Sequence, residues 1–110
     1  MQIIFESRHP EAGEMRELVV QRVRFVLRRL TWLVPRARIQ LSDANGPRGG
    51  VDKLCQIEFR TSNGVVVISS MATNWRSALD LALQRASRAI LRSSQRSRRV
   101  DRSTLALGAA

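Results

Sequence analysis

Cysteine occurs once in this chain, histidine once, lysine once and tyrosine not at all. One cysteine excludes an internal disulfide and any zinc site built from several thiolates. The lone histidine, His9, has no second histidine or cysteine near it in sequence to complete a ligand set, so it is expected to be structural. Cys55 falls on the apolar side of an alternating stretch with Ile57 and Phe59, which reads as core rather than nucleophile. Long apolar runs are missing too: none approaches the roughly 18 residues of a membrane span. The opening "MQIIFESRHP" lacks a basic segment before an apolar one, so no signal peptide is expected and the chain reads as cytoplasmic. Nothing assembles a nucleophile, a base and an oxyanion site. The expectation is a protein that is not an enzyme and takes no cofactor, metal or small-molecule substrate.

Acidic residues are scarce. Nine oppose nineteen basic ones, giving a formal charge of +10 and a pI near 11.8. Such a balance favours a polyanionic partner. Hydrophobic residues still make up 44%, enough for a folded globule, and 110 residues suffice for one modest core.

Residues 2–6, "QIIFE", suggest a short strand. A first helix is expected from between Pro10 and Glu14 to about Leu33. At 100° per residue Met15, Val19, Val23, Val26, Leu30 and Leu33 fall within an arc of about 80°. Glu11, Glu14 and Glu17 suit its positive end, Arg28 and Arg29 its negative end, and Pro35 stops it. "ARIQLS" (37–42) and "LCQIEFR" (54–60) each alternate apolar with polar residues, as half-buried strands do. Between them runs a Gly-rich loop, 44–51, expected to be mobile. "SNG" (62–64) signals a tight turn into a fourth strand, "VVVISSMA". Asn74 can cap a second helix from Trp75 to about Ser97, with Trp75, Ala78, Leu79, Ala82, Ala86 and Ile90 on its apolar face. Residues 99–110 read as a flexible basic tail after a domain spanning 1–98.

The element order is therefore β-α-β-β-β-α, an α+β class. A β-α-β unit makes strands one and two parallel, and the following strands form an antiparallel meander. One apolar stripe per helix puts both helices on one face of a four-stranded mixed sheet, in the manner of double-stranded-RNA-binding domains. The other face would show Arg38, Gln40, Ser42, Gln56, Glu58 and Arg60 to water.

Residues 85–99 hold six arginines and no acid. With Trp75 at zero on the second helix, Arg85, Arg88, Arg92 and Arg96 fall between about 220° and 300°, one stripe beside the apolar face. Asp80 lies on the other flank. A solvated face normally mixes signs, because like charges three or four apart repel. Neighbours in such a stripe stand about 5–6 Å apart, close to phosphate spacing, and guanidinium forks bind phosphate in bidentate fashion. Arg22 and Arg29 share one flank of the first helix and would join a common basic groove if the helices lie side by side. Lys53 can reach a phosphate from the loop. A membrane-surface helix is the competing use of a basic amphipathic segment, but the apolar face here is mainly Ala, which suits packing on a sheet. Asp43 and Asp52 flank the loop and can in principle hold a cation, although Asp in turns more often caps backbone amides. Trp32 and Trp75 are expected in the core or at its rim. Sheet-based single-strand readers need exposed aromatics that this reading does not place on the sheet, and the "GPRG" of the loop joins strands, not the helices that a GxxG clamp requires.

Taken together, the element order, "MRE" (15–17) followed by Arg22, the turn "NGVVV" and "NWRSALDLALQRASRAILR" resemble the ribosome hibernation-promoting factors and ribosome-associated inhibitors. The resemblance covers about residues 2–98. Asn74, Ala78, Leu79 and Asp80 match the opening of the family's last helix, Arg85, Arg88, Arg92 and Arg96 its basic positions, and Arg22 a basic position of its first helix. Arg76 stands where the family usually has tyrosine, and Phe25 where a second lysine is common. The loop is longer than in short members, as in a divergent branch, and a short form, without the long form's C-terminal dimerisation domain, is expected. The resemblance implies binding to ribosomal RNA of the small ribosomal subunit, in the channel of messenger and transfer RNA, and inhibition of translation by occupancy. A monomer or weak dimer is expected. The residues by themselves also allow a structured-RNA-binding module outside the ribosome, or an adaptor for an acidic protein partner.

Overall fold

The computed structural model describes the backbone of residues 1–44 and 51–109, with side chains as far as residue 95. The elements follow the order β1 (Gln2–Ser7), α1 (Pro10–Gly13), α2 (Arg16–Val26), a 3-10 turn (Thr31–Leu33), β2 (Arg36–Asp43), β3 (Lys53–Thr61), β4 (Gly64–Ala72) and α3 (Trp75–Ala109). The sheet order is β1-β2-β3-β4. β1 and β2 are parallel, while β2, β3 and β4 form the antiparallel meander. The α+β, mixed four-stranded architecture expected from the sequence is the one found.

Alternation sets which residues meet. Ala37, Ile39 and Leu41 of β2 face Phe59, Ile57 and Cys55 of β3 in register, and all six are buried. Val19, Val23 and Leu27 come down on this layer from one helix, and Ala78, Leu79, Ala82, Leu83, Ala86 and Ile90 from the other. The alanines let α3 lie close to the sheet. Each fully buried Leu, Ile or Phe contributes about 1.5–3 kcal/mol. Burial pushes the Cys55 thiol up to about 12, so it stays a neutral, apolar core group at physiological pH.

The first helix departs from expectation: it is broken and short. After Gly13, which costs helix stability for want of a side chain, the chain tightens, with the Met15 amide bonding to the Ala12 carbonyl. Helical bonding restarts from Val19 to Met15 and α2 ends at Val26, not Leu33. From there bonds span three residues instead of four: Leu30 to Leu27, Leu33 to Leu30 and Val34 to Thr31. Threefold winding brings Leu27, Leu30 and Leu33 onto one inward face and turns their neighbours outward.

The Thr61–Gly64 hairpin needs its glycine, whose φ of 126° is one that side chains rarely adopt. Thr61 and Gly64 form the closing pair, so successive residues of β4 alternate between bonding to β3 and facing the free edge. Val65, Val67, Ser69 and Met71 are the edge-facing set.

Asn74 caps α3, its Oδ1 accepting from the Ser77 amide at 2.8 Å. α3 runs to Ala109, past the end near Ser97 that periodicity suggests, and its backbone shows no break at 98/99. The proposed mobility of the 44–51 loop falls on residues 45–50, which lie outside those described. No described helix is long and apolar enough to cross a membrane.

Candidate nucleic-acid interface

α3 has two flanks, and they differ in charge. On the flank toward α2, Asp80 Oδ1 accepts from Arg22 Nε at 3.2 Å and from Arg22 Nη2 at 2.9 Å. Both side chains remain about one-third exposed, 35% and 36%. This pair ties the helices together across the layer and uses two of the five N–H donors of Arg22. On the opposite flank, toward the β4 edge, stand Arg85, Arg88 and Arg92, all exposed. Arg85 Nη1 donates to the Ser69 carbonyl at 3.2 Å, which fixes this flank against the outer strand. Arg88 and Arg92 have no carboxylate partner among the described residues.

The structure therefore separates what the sequence joined. Arg22 and the Arg85–Arg88–Arg92 stripe lie on opposite sides of α3, so the two do not line one groove between the helices. Arg29 is exposed in the turn after α2, its side chain without a partner among the described residues. The side chain of Arg96 lies outside the described residues.

Lys53 belongs to β3, and its partly exposed side chain is held by carboxylates. Its Nζ lies 2.7 Å from Asp43 Oδ2, 3.5 Å from Asp52 Oδ1 and 5.3 Å from the Trp75 ring centroid. The Asp43 carboxylate, helped by Asp52, raises its pKa above the ordinary lysine value. The Asp43–Asp52 pair that the sequence suggested for a cation thus holds the ammonium of Lys53. Asp52 is fully buried and its oxygens have no hydrogen-bond partner among the described residues, where the ammonium of Lys53 is the cation nearest to it. No group of three or more potential metal ligands occurs among the described residues.

Trp75 is 8% exposed and packs as expected, its Nε1 donating to the Ser42 carbonyl at 3.0 Å, with His9 tilted beside it at 6.2 Å. Trp32 does not: it is 70% exposed. The threefold winding after Val26 is the reason, because it gives the inward positions to leucines. That change of winding left no signal in the apolar periodicity.

The open sheet face carries charge of both signs. Arg38 Nη2 reaches both oxygens of Glu6 at 2.8 Å, and Gln40 donates to the same carboxylate at 3.0 Å. The Arg38 hydrogen bond, then that of Gln40, lowers the Glu6 pKa. Two shallow depressions lie here, of about 470 and 280 Å³. The smaller is lined by Ile4, Glu6, Arg36, Arg38, Glu58 and Arg60, charges of both signs.

No protein-family model and no curated protein sequence matches the chain. Solved structures do. A ribosomal subunit interface protein from Coxiella burnetii superposes with a TM-score of 0.67 at 12% identity, over 86% of this chain and 99% of that one. The N-terminal domain of Thermus thermophilus Protein Y gives 0.61 at 18% identity, over 83% and 93%. At such identities the likeness establishes a common fold.

Proposed function

We propose that the chain is a ribosome-associated translation inhibitor of the hibernation type. It binds ribosomal RNA of the small subunit through the α3 stripe and blocks the messenger and transfer RNA channel by occupancy, without catalysis. The observation that carries this reading is the unneutralised row Arg85, Arg88 and Arg92, on a fold shared with a protein whose name places it at the ribosomal subunit interface. Arg96 continues the row in sequence, and Arg29 adds a further cation at the end of α2.

The physics of such a grip is simple. Each guanidinium replaces condensed counterions on a phosphate, and their release drives binding. A rigid helix fixes the spacing of the forks in advance, so little side-chain order is lost for each contact beyond the fork itself. Shape and phosphate contacts select structured RNA without reading its sequence. Arg22 and Lys53 enter as supports: the first holds α2 to α3 and keeps three donors for a passing phosphate, the second anchors the end of the sheet beneath Trp75.

Co-sedimentation through a sucrose gradient tests the proposal. The protein is expected to travel with small subunits and to suppress translation in an extract without consuming nucleotide. Distribution over bulk RNA would favour a general RNA-binding module, and absence from both fractions an adaptor for an acidic protein. Normal translation at a saturating excess of protein over ribosomes would refute inhibition.

A further inference from the structure

Three of the five aromatic side chains pack inward: Phe59 and Trp75 are buried and Phe5 lies against the core. The other two, Phe25 and Trp32, are 59% and 70% exposed and share one short stretch, "RFVLRRLTW", with Arg24, Arg28 and Arg29. Both rings are held in place without a core. The Arg28 guanidinium lies 4.5 Å over the Phe25 ring and donates to the Phe25 carbonyl at 2.7 Å. Trp32 Nε1 donates to the Arg29 carbonyl at 3.1 Å. That bond spends the only polar donor of the indole, so what Trp32 presents to a ligand is its ring face.

Leu27 and Leu30 of this stretch, and Leu33 just after it, turn to the core. The large apolar side chains that this stretch leaves mostly in water are thus its two aromatic rings, among three exposed arginines, while its aliphatic side chains are buried or partly buried. A lipid surface or a hydrophobic peptide would call for aliphatic area. A planar, electron-rich group on a polyanionic chain matches both the planes and the charge.

We propose that Trp32 is a stacking platform for an unpaired nucleobase, with Arg28, braced on Phe25, and Arg29 holding the flanking phosphates. This rests on the RNA-binding reading above and adds to it a preference for unstacked bases that the α3 stripe cannot supply. The winding of the 27–33 segment pre-orients the ring, so binding orders little that is not ordered already.

The intrinsic fluorescence of the protein reads the site directly. Trp75 is shielded, so quenching by a stacked base reports on Trp32. Oligoadenylate is expected to quench the emission, whereas inorganic polyphosphate, which has charge and no bases, binds without quenching. Trp32→Phe should remove the quench while keeping part of the affinity. Trp32→Ala should weaken oligoadenylate roughly 5- to 150-fold, the range for losing one base–aromatic stack, and leave polyphosphate binding unchanged. Folding is not at stake, since Trp32 is mostly in water. If both ligands bind and Trp32→Ala changes neither, the stacking site is wrong and the RNA reading stands. If neither ligand binds, both fall. Quenching by anionic phosphatidylglycerol vesicles in place of oligoadenylate would assign the patch to a membrane and overturn the proposal.

Discussion

Arg38 on the sheet and Arg88 on α3 are the same side chain in opposite circumstances. Arg38 faces two carboxylates: Glu6, whose oxygens it reaches at 2.8 Å, and Glu58, its partner in register on β3. Arg88 has neighbours of its own sign and no acid. Three arginines and two glutamates share the smaller depression on the sheet, so its field is nearly cancelled at a short distance. The α3 stripe cancels nothing. A charge paired within the fold serves register and orientation, and surface pairs of this kind add little to stability because water screens them. A charge left unpaired is available to a partner, and its value appears only when the partner is bound.

The comparison can be broken most forcefully on the stripe. Changing Arg88 and Arg92 to Gln is expected to lower the log–log salt slope of RNA binding by about 1.4, at the single-strand coefficient of about 0.7 per phosphate contact, and to weaken all RNA targets alike. Folding should survive, since both residues are exposed and Gln forms helix well. Filter binding across a salt series measures this. A double variant that binds like the wild type would remove the stripe from the interface.

Arg22→Gln tests the intermediate case. Losing the bridge to Asp80, about one-third exposed, should cost up to about 1 kcal/mol of stability in urea denaturation, and less at high salt. Its effect on RNA affinity should be smaller than that of the double stripe variant. Arg60→Gln, on the sheet face, should change RNA affinity less again. If this variant lost binding while the stripe variant kept it, the RNA surface would be the open sheet.

The smallest effect is one of pH. The Glu6 carboxyl is lowered by its bonds to Arg38 and Gln40, so the stability it lends is present above its ordinary value of 4.5 and is lost as pH falls through its lower folded value. Being at the surface, the contribution is slight. Glu6→Gln should flatten that part of the acid limb in pH-dependent denaturation. RNA affinity through the arginines should stay level between about pH 5 and pH 9, because guanidinium does not titrate there.

Much of this was legible beforehand. Period two marked Ala37, Ile39, Leu41, Cys55, Ile57 and Phe59 as one buried layer, and period 3.6 found the α3 face from Trp75 to Ile90. Asn74 was readable as a cap because its side chain acts on its own next turn. What periodicity could not carry was the change from four-residue to three-residue bonding after Val26, which depends on how the leucines seat on the sheet. For that reason Trp32 stands in water, not in the core or at its rim. The pairing of Arg22 with Asp80 is a matter of which helix flank faces which, set by tertiary packing between residues 58 positions apart. The same holds for Lys53, whose two carboxylates meet only once β2 and β3 are paired.

The free edge of β4 bears on the colloidal behaviour of the protein. Gly64–Ala72 contains no charged residue, and its Val65, Val67 and Met71 side chains are exposed, a combination that invites another strand. A second copy continuing the sheet in the antiparallel sense would bring its own α3 to the same side, stripe against stripe. The arginines of the helix thus guard an edge that the strand itself leaves unguarded, and Arg85, bonded to the Ser69 carbonyl, occupies part of it. Salt weakens that guard. Raising the ionic strength should therefore release RNA and, in the same range, promote self-association, so light scattering should increase with salt as binding falls.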